Sequence, residues 1–248
     1  MNPGRNRLFA GAAWVLLGGA APALAAAPAT DGDQPSVVQG PPLTWSFRAG
    51  ATTDYVAGGM SQSGGRPSAF AGVDLGYQGF YAGAWTANVD YRHFGDSTTH
   101  LEVDVYGGWR AKIAGAVLDI GLIRYGYPVQ PSHGRLDYEE GYVRFSQPVG
   151  AFVVGAATYY SPDYTGREGP ALYFEGNLAY ALTSRWSVSA VTGRRSIGRT
   201  RDYDIWNAGA EYKLNPRVAL DLRFWDTDEL ADRVLYGPRL VAKIKLTI

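Results

Sequence analysis

The chain predicts an all-β fold: a single transmembrane antiparallel up-and-down β-barrel of about twelve strands, both termini periplasmic. Two observations predict it. Segments alternate residue by residue between apolar and polar side chains, as where Leu101, Val103, Val105, Gly107 and Trp109 interleave with His100, Glu102, Asp104, Tyr106, Gly108 and Arg110. The joints between segments also alternate, tight then long. A face suited to hydrocarbon opposite one suited to water, sustained over about ten residues per strand, is the pattern of a membrane barrel. Closure follows, because lipid offers no partner to an unpaired backbone N–H.

The first residues read as an export signal. Arg5 and Arg7 precede the apolar run Leu8–Ala20, and Ala23-Leu24-Ala25 fits a small-x-small cleavage site. Cleavage is expected after Ala25, the run being short for a spanning helix; a retained helical anchor is the alternative. Residues 26–42, rich in Ala, Pro, Asp and Gln, read as a flexible periplasmic tail, and the barrel as residues 43–248.

Strand 1 is expected over Leu43–Ala57, with Trp45, Phe47, Ala49, Ala51, Thr53 and Tyr55 outward and Arg48, Gly50, Thr52 and Asp54 inward. Strand 2, Ala69–Tyr77, turns at Gln78-Gly79 into strand 3, Phe80–Tyr91. There Tyr81, Trp85, Val89 and Tyr91 are expected towards lipid and Thr86, Asn88 and Asp90 towards the lumen. Strands 4 and 5 are Thr99–Arg110 and Ala116–Tyr127. Strand 6, Leu136–Ser146, turns at Gln147-Pro148-Val149-Gly150 into Ala151–Tyr160. Ala171–Leu182 turns at Thr183-Ser184-Arg185 into Trp186–Arg194. Tyr203–Leu214 turns at Asn215-Pro216-Arg217 into Val218–Asp226. The last strand is Pro238–Ile248, with Leu240, Ala242, Ile244, Leu246 and Ile248 outward.

Joints near residues 78, 113, 149, 184 and 216 are short. Those at 58–68, 92–98, 128–135, 161–170, 195–202 and 227–237 are longer and polar. Short turns belong on the periplasmic side and long loops outside. Ten or fourteen strands are the alternatives, since strands 5 and 9 alternate less cleanly.

Composition narrows the function. The full chain carries 23 basic and 23 acidic side chains, and losing Arg5 and Arg7 leaves it slightly acidic, against a nucleic-acid partner. Zero cysteines exclude disulfides, thiolate metal sites and cysteine nucleophiles. Thirty-two glycines, 17 tyrosines and 7 tryptophans suit crowded strands with aromatic girdles. Outward aromatics are expected at Trp45, Tyr77, Tyr81, Trp109, Trp186, Tyr212 and Phe224. Phe80, Tyr106, Tyr142, Tyr173 and Trp225 are expected inward, mainly filling space.

The pore-lining candidates are Asp54, Asn88, Asp90, Glu102, Asp104, Glu140 and Glu175 among acids and amides, and Arg48, Arg110, Arg144, Lys213, Arg223, Lys243 and Lys245 among bases. The acids lie towards the long-loop end and most bases towards the short turns. Asp74, Asp119, Glu211 and Asp221 break the trend. Two explanations stand beside each other: a satisfied network bracing a narrow wall, and an acidic outer mouth that favours cationic or zwitterionic solutes.

Catalysis is not expected. Three histidines exist, His93, His100 and His133, each placed at the outer rim. A hydrolase needs a serine in hydrogen-bond reach of one and a third group orienting the ring; Ser97 and Ser132 sit where serine is ordinary turn chemistry. His100 and Asp104, four residues apart along a strand, are more than about 10 Å apart and cannot touch directly. Metal-ligand spacing and phosphate loops are not found, and no cofactor is expected.

Asp54-Tyr55-Val56 through Ser61-Gln62-Ser63, followed by Phe80–Asp90, resembles the TorF-type porins of proteobacterial outer membranes. Ser161-Pro162-Asp163-Tyr164-Thr165-Gly166 with Glu175, and Asp226-Thr227-Asp228, are similar to two further hallmarks of that family. The likeness spans nearly the whole mature chain and implies a barrel with a channel role whose solute is unsettled. The family usually reads Phe-Arg where this chain has Ala57-Gly58, and it tends to end on an aromatic rather than Ile248, which bears on insertion rather than fold. In physical terms Ser61–Gly65 is an adaptable polar loop able to fold towards the mouth, and Tyr164 a headgroup-level anchor. Gly72 and Gly83 permit close approach.

These readings favour passive diffusion of small polar solutes. A non-conducting barrel whose loops bind a ligand or partner is the alternative, with a rim hydrolase behind both. Partners expected are outer-membrane lipid and lipopolysaccharide, the barrel assembly machinery during insertion, and a small polar solute.

Overall fold

The computed structural model describes residues 43–131, 136–198 and 201–248. The leader and tail expected over 1–42, and His133 with Ser132, lie outside the described residues.

Among the described residues, twelve strands close into one antiparallel barrel. The wall runs β1 (Thr44–Thr52), β4 (Ser68–Tyr77), β5 (Phe80–Asn88), β6 (Leu101–Ile113), β7 (Ala116–Gly126), β8 (Tyr138–Val149), β9 (Phe152–Ser161), β10 (Ala171–Ala181), β11 (Trp186–Ile197), β12 (Arg201–Lys213), β13 (Val218–Thr227) and β14 (Arg239–Thr247). Neighbours in sequence pair throughout, and β1 pairs with both β4 and β14. The closing seam pairs Arg48↔Thr247 to Thr52↔Lys243 and is extended by backbone hydrogen bonds between Phe47 and Ile248 and from Thr53 to Ala242, whereas β1 meets β4 along its whole length. A two-stranded hairpin, β2 (Val56–Ala57) with β3 (Met60–Ser61), lies outside the wall's order. A single helical turn, α1 (Arg233–Tyr236), precedes β14.

Two tight turns follow from two-residue chemistry. Gln78-Gly79 and Ala114-Gly115 both hold positive φ at each position, the primed geometry whose twist matches a hairpin. Elsewhere the joints shift. Gln147, Pro148 and Val149 belong to β8, paired with Val154, Val153 and Phe152, so that turn falls at Gly150-Ala151. The long joint expected at 195–202 contracts to residues 198–200, because Arg194–Ile197 pair with Asp204–Arg201.

The apolar outer belt is plain. Val105, Leu122, Phe145, Val154, Leu222, Phe224, Leu240 and Ile244 are all exposed, as a lipid-facing surface requires. The buried core is the lumen itself, and its make-up corrects the side assignment of strand 3. Trp85, Val89 and Tyr91 are buried inside, and Tyr81 donates to Asp119, while Phe80 and Asn88 are exposed. Register explains the inversion. Trp85 stands opposite Asp104 and Gly83 opposite Tyr106, and cross-strand partners share a face. With period two, one misplaced residue reverses the whole set. Tyr106, Tyr142, Tyr173 and Trp225 do point inward.

Tyrosine rings tile the inner wall over glycine. A Cβ on Gly193 would come within 2.9 Å of the Tyr173 ring, and Gly83 and Gly121 are covered in the same way by Tyr106 and Tyr142. Each glycine leaves the gap that lets a neighbouring ring lie flat.

Candidate functional site

The lumen is divided. At the long-loop end, residues 53–67 turn inward rather than continuing strand 1, and Tyr55 is buried instead of facing lipid. The hairpin β2–β3 crosses the opening. Its tip, Gly59, sits where a Cβ would meet Thr227 at 2.5 Å and Ile205 at 3.1 Å, on β13 and β12. Gly59 holds a φ of +79°, so a side chain there is strained as well as crowded.

Polar side chains fasten this plug. Asp54 accepts from Ser61 Oγ at 2.6 Å, from Ser63 Oγ at 2.9 Å and from Arg239 Nη1 at 2.8 Å. Tyr55 Oη donates to Glu102 at 2.9 Å, and the Asp90 amide donates to the Gln62 carbonyl at 2.8 Å. Tyr203 Oη reaches the Gly58 carbonyl at 3.2 Å. Burial lifts the Tyr55 phenol well above its usual pKa, with the Glu102 charge adding to it, so it stays a donor.

The predicted site residues fall into four groups, with Asn88 outside them. Glu102, Asp104 and Glu140 are fully buried beside the plug, among Tyr91, Tyr125, Tyr127 and Tyr138. Glu102 accepts from Tyr55 and, at 3.0 Å, from Tyr127. Asp90 lies at the rim between Arg66 and Arg92, at 2.8 and 2.6 Å. Asn88 faces outward, where its Oδ1 accepts from the Ala69 amide, and does not line the lumen.

Arg110 and Arg144 converge on Asp119 at 2.8 and 3.1 Å towards the short turns, and Lys213 stands apart on β12, opposite Ala219. The remaining candidates, Arg48, Arg223, Lys243, Lys245, Asp54 and Glu175, border a cavity of about 210 Å³ beneath the plug.

Residues outside the predicted set matter as much. Arg195 has no exposed surface; it donates to Tyr164 Oη and sits 5.1 Å over the Tyr173 ring. Tyr164 is therefore buried against Tyr138, at 4.9 Å between ring centres, and is not a headgroup anchor. Its turn, Ser161–Gly166, had no alternation from which to read an inward aim. Thr227 abuts the plug tip, and Arg233 binds Asp226 beside it in the chain at 2.9 Å. The loop segments that carry the resemblance thus gather at the plugged end.

The described histidines hold loops together. His93 Nε2 is 2.9 Å from Asp232, and His100 Nδ1 is 2.6 Å from the Thr98 carbonyl. Neither ring meets a serine hydroxyl among the described residues.

Residues 38–245 match the family described as bacterial proteins of unknown function, Gcw_chp. The chain belongs to this family. No curated protein matches this Gcw_chp chain. Among solved structures, the Gcw_chp barrel is similar to the KdgM porin in complex with disordered oligogalacturonate (TM-score 0.55, 10% identity, 82% of this chain and 98% of that one). It is also similar to the NanC porin (TM-score 0.52, 13% identity, 82% and 98%). The calcium-bound dimer of the Salmonella typhi outer membrane phospholipase gives 0.51 at 12% identity over 85% and 95%. At these identities the likeness is one of fold.

Proposed function

We propose that this protein is a bacterial outer-membrane channel for passive diffusion of small polar solutes, closed at its outer end by residues 53–67. One observation carries the reading: a loop blocks one end of the lumen, and a cavity lies beneath the block. The export signal, the apolar belt and the likeness to porin folds and to TorF-type porins support it. In this orientation short turns and both chain ends face the periplasm, as in other outer-membrane barrels. Lipid, lipopolysaccharide and the assembly machinery are its expected partners.

A lean towards cationic or zwitterionic solutes rests on the acid-rich outer end. Its support is weaker than the sequence suggests, because Glu102, Asp104 and Glu140 are covered by tyrosines and plug, and Asp90 is flanked by two arginines. A second reading, a non-conducting barrel whose loops bind a partner, is favoured by the same plug.

Planar-bilayer recording separates the two. Wild type is expected to give brief, small steps, and a variant with Val56–Ser61 replaced by Gly-Gly larger and longer ones. Silence from both, with correctly inserted barrels, discards the channel.

A further inference from the structure

We propose that the cavity beneath the plug is a binding site for a small organic monoanion with a ring-sized apolar body, held by Lys243. The inference deepens the channel reading and rests on it only for the route by which the ligand arrives.

Charge pairing around the cavity is nearly complete. Arg48 binds Asp74 at 2.8 Å and Lys245 faces Glu211 at 3.7 Å. Arg223 holds Asp221 at 3.1 Å and also donates to Asn207 and Ser189. Asp54 is bound to Arg239, and Glu175 accepts from Tyr173 at 2.8 Å. Among the described residues lining the cavity, Lys243 is the charged side chain with neither ion pair nor hydrogen bond. Its cross-strand neighbours are Asp221, already engaged by Arg223, and Thr52.

An ammonium group carries three donors and is compensated best by an anion. A cation entering the cavity meets carboxylates that already accept hydrogen bonds, and a neutral molecule answers the three ammonium donors less well than an anion does. One unengaged ammonium group calls for one negative group on the ligand.

The other walls set its body. Trp85, Trp225, Phe70 and Val56 border the same space, and the Phe70 and Trp85 rings stack at 6.2 Å with 21° between planes. A dry cavity of about 150 Å³ holds benzene, so about 210 Å³ admits one six-membered ring carrying a carboxylate.

Isothermal titration calorimetry of the refolded full chain in detergent tests this, with benzoate as probe against benzamide and benzylammonium. Benzoate is expected to bind at least about tenfold more tightly than either. Lys243→Gln should abolish that preference and Lys243→Arg should keep it, each variant being checked for heat-modifiable gel migration. Equal binding of benzoate and benzamide, or benzoate affinity unchanged in a folded Lys243→Gln variant, overturns the proposal. Liposome swelling in benzoate separates the two readings. Lys243-dependent binding without swelling keeps the site and discards the channel, whereas swelling with no Lys243-dependent preference keeps the channel and discards the site.

Discussion

Asp54 Oδ2 lies 2.8 Å from Arg239 Nη1, which ties the root of the inward loop to the first residue of the last strand. Both side chains are largely buried, so the pair is shielded from the screening that weakens surface ion pairs. Asp54→Asn removes the charge and weakens the anchoring of Ser61 and Ser63. A loss of about 1.5–3 kcal/mol is expected from a buried charge-assisted bond. Single-channel recording should show at least about tenfold more time in the conducting state. An unchanged gating record would mean that the plug is held elsewhere.

Gly59→Val strikes the other end of the plug without changing a residue of the wall. A side chain there collides with Thr227 and Ile205 at an unfavourable φ. Steric and backbone strain of about 1–3 kcal/mol is expected to expel the tip. Increased conductance at an unaltered urea midpoint is the expected signature.

Arg195→Ala removes the cation from the middle of the buried tyrosines. Glu140 lies within its electrostatic reach, and Tyr164 loses its donor. Leaving a buried charge uncompensated is worth about 3–5 kcal/mol. The urea midpoint of refolding should fall accordingly, and Arg195→Lys, which lacks the planar fork, should recover only part of it.

Loop 89–100 is expected to resist mild acid. Burial would raise the Asp96 carboxyl, but hydrogen bonds from Thr99 and Thr98 outweigh it and hold the group below its ordinary value. A depressed folded pKa stabilises the loop above the unfolded value, and that contribution is lost as pH falls through the folded one. An NMR titration of the Asp96 carboxyl should therefore show a midpoint below about 3.9. A midpoint at or above that value would contradict the arrangement.

Most of the wall was legible because alternation and tight turns are local signals. Val103 and Val105 against Glu102 and Asp104 leave little choice of face, and Gln78-Gly79 carries its own turn chemistry. Strand 3 misled because its more apolar face, Trp85 with Val89, meets a packed loop and not lipid. Hydrophobicity alone does not distinguish those two dry surroundings. The pairing of Trp85 with Asp104 does, yet the long joint between those strands hides the register. The inward fold of residues 53–67 was open as a possibility in Ser61–Gly65, but its partners Arg239, Thr227 and Ile205 lie far along the chain. Lys243 was legible as inward; its lack of a partner was not, since that depends on Asp221 being claimed by Arg223.

The plug's fastenings also imply an order of biogenesis. Residues 53–67 emerge early in synthesis, yet they are tethered to Arg239 and abut Thr227, both on the final two strands. The stopper has nothing to lock onto until the cylinder has been zipped shut between its first and last staves. Sealing of the passage is therefore the closing act of assembly, coupled to completion of the wall itself.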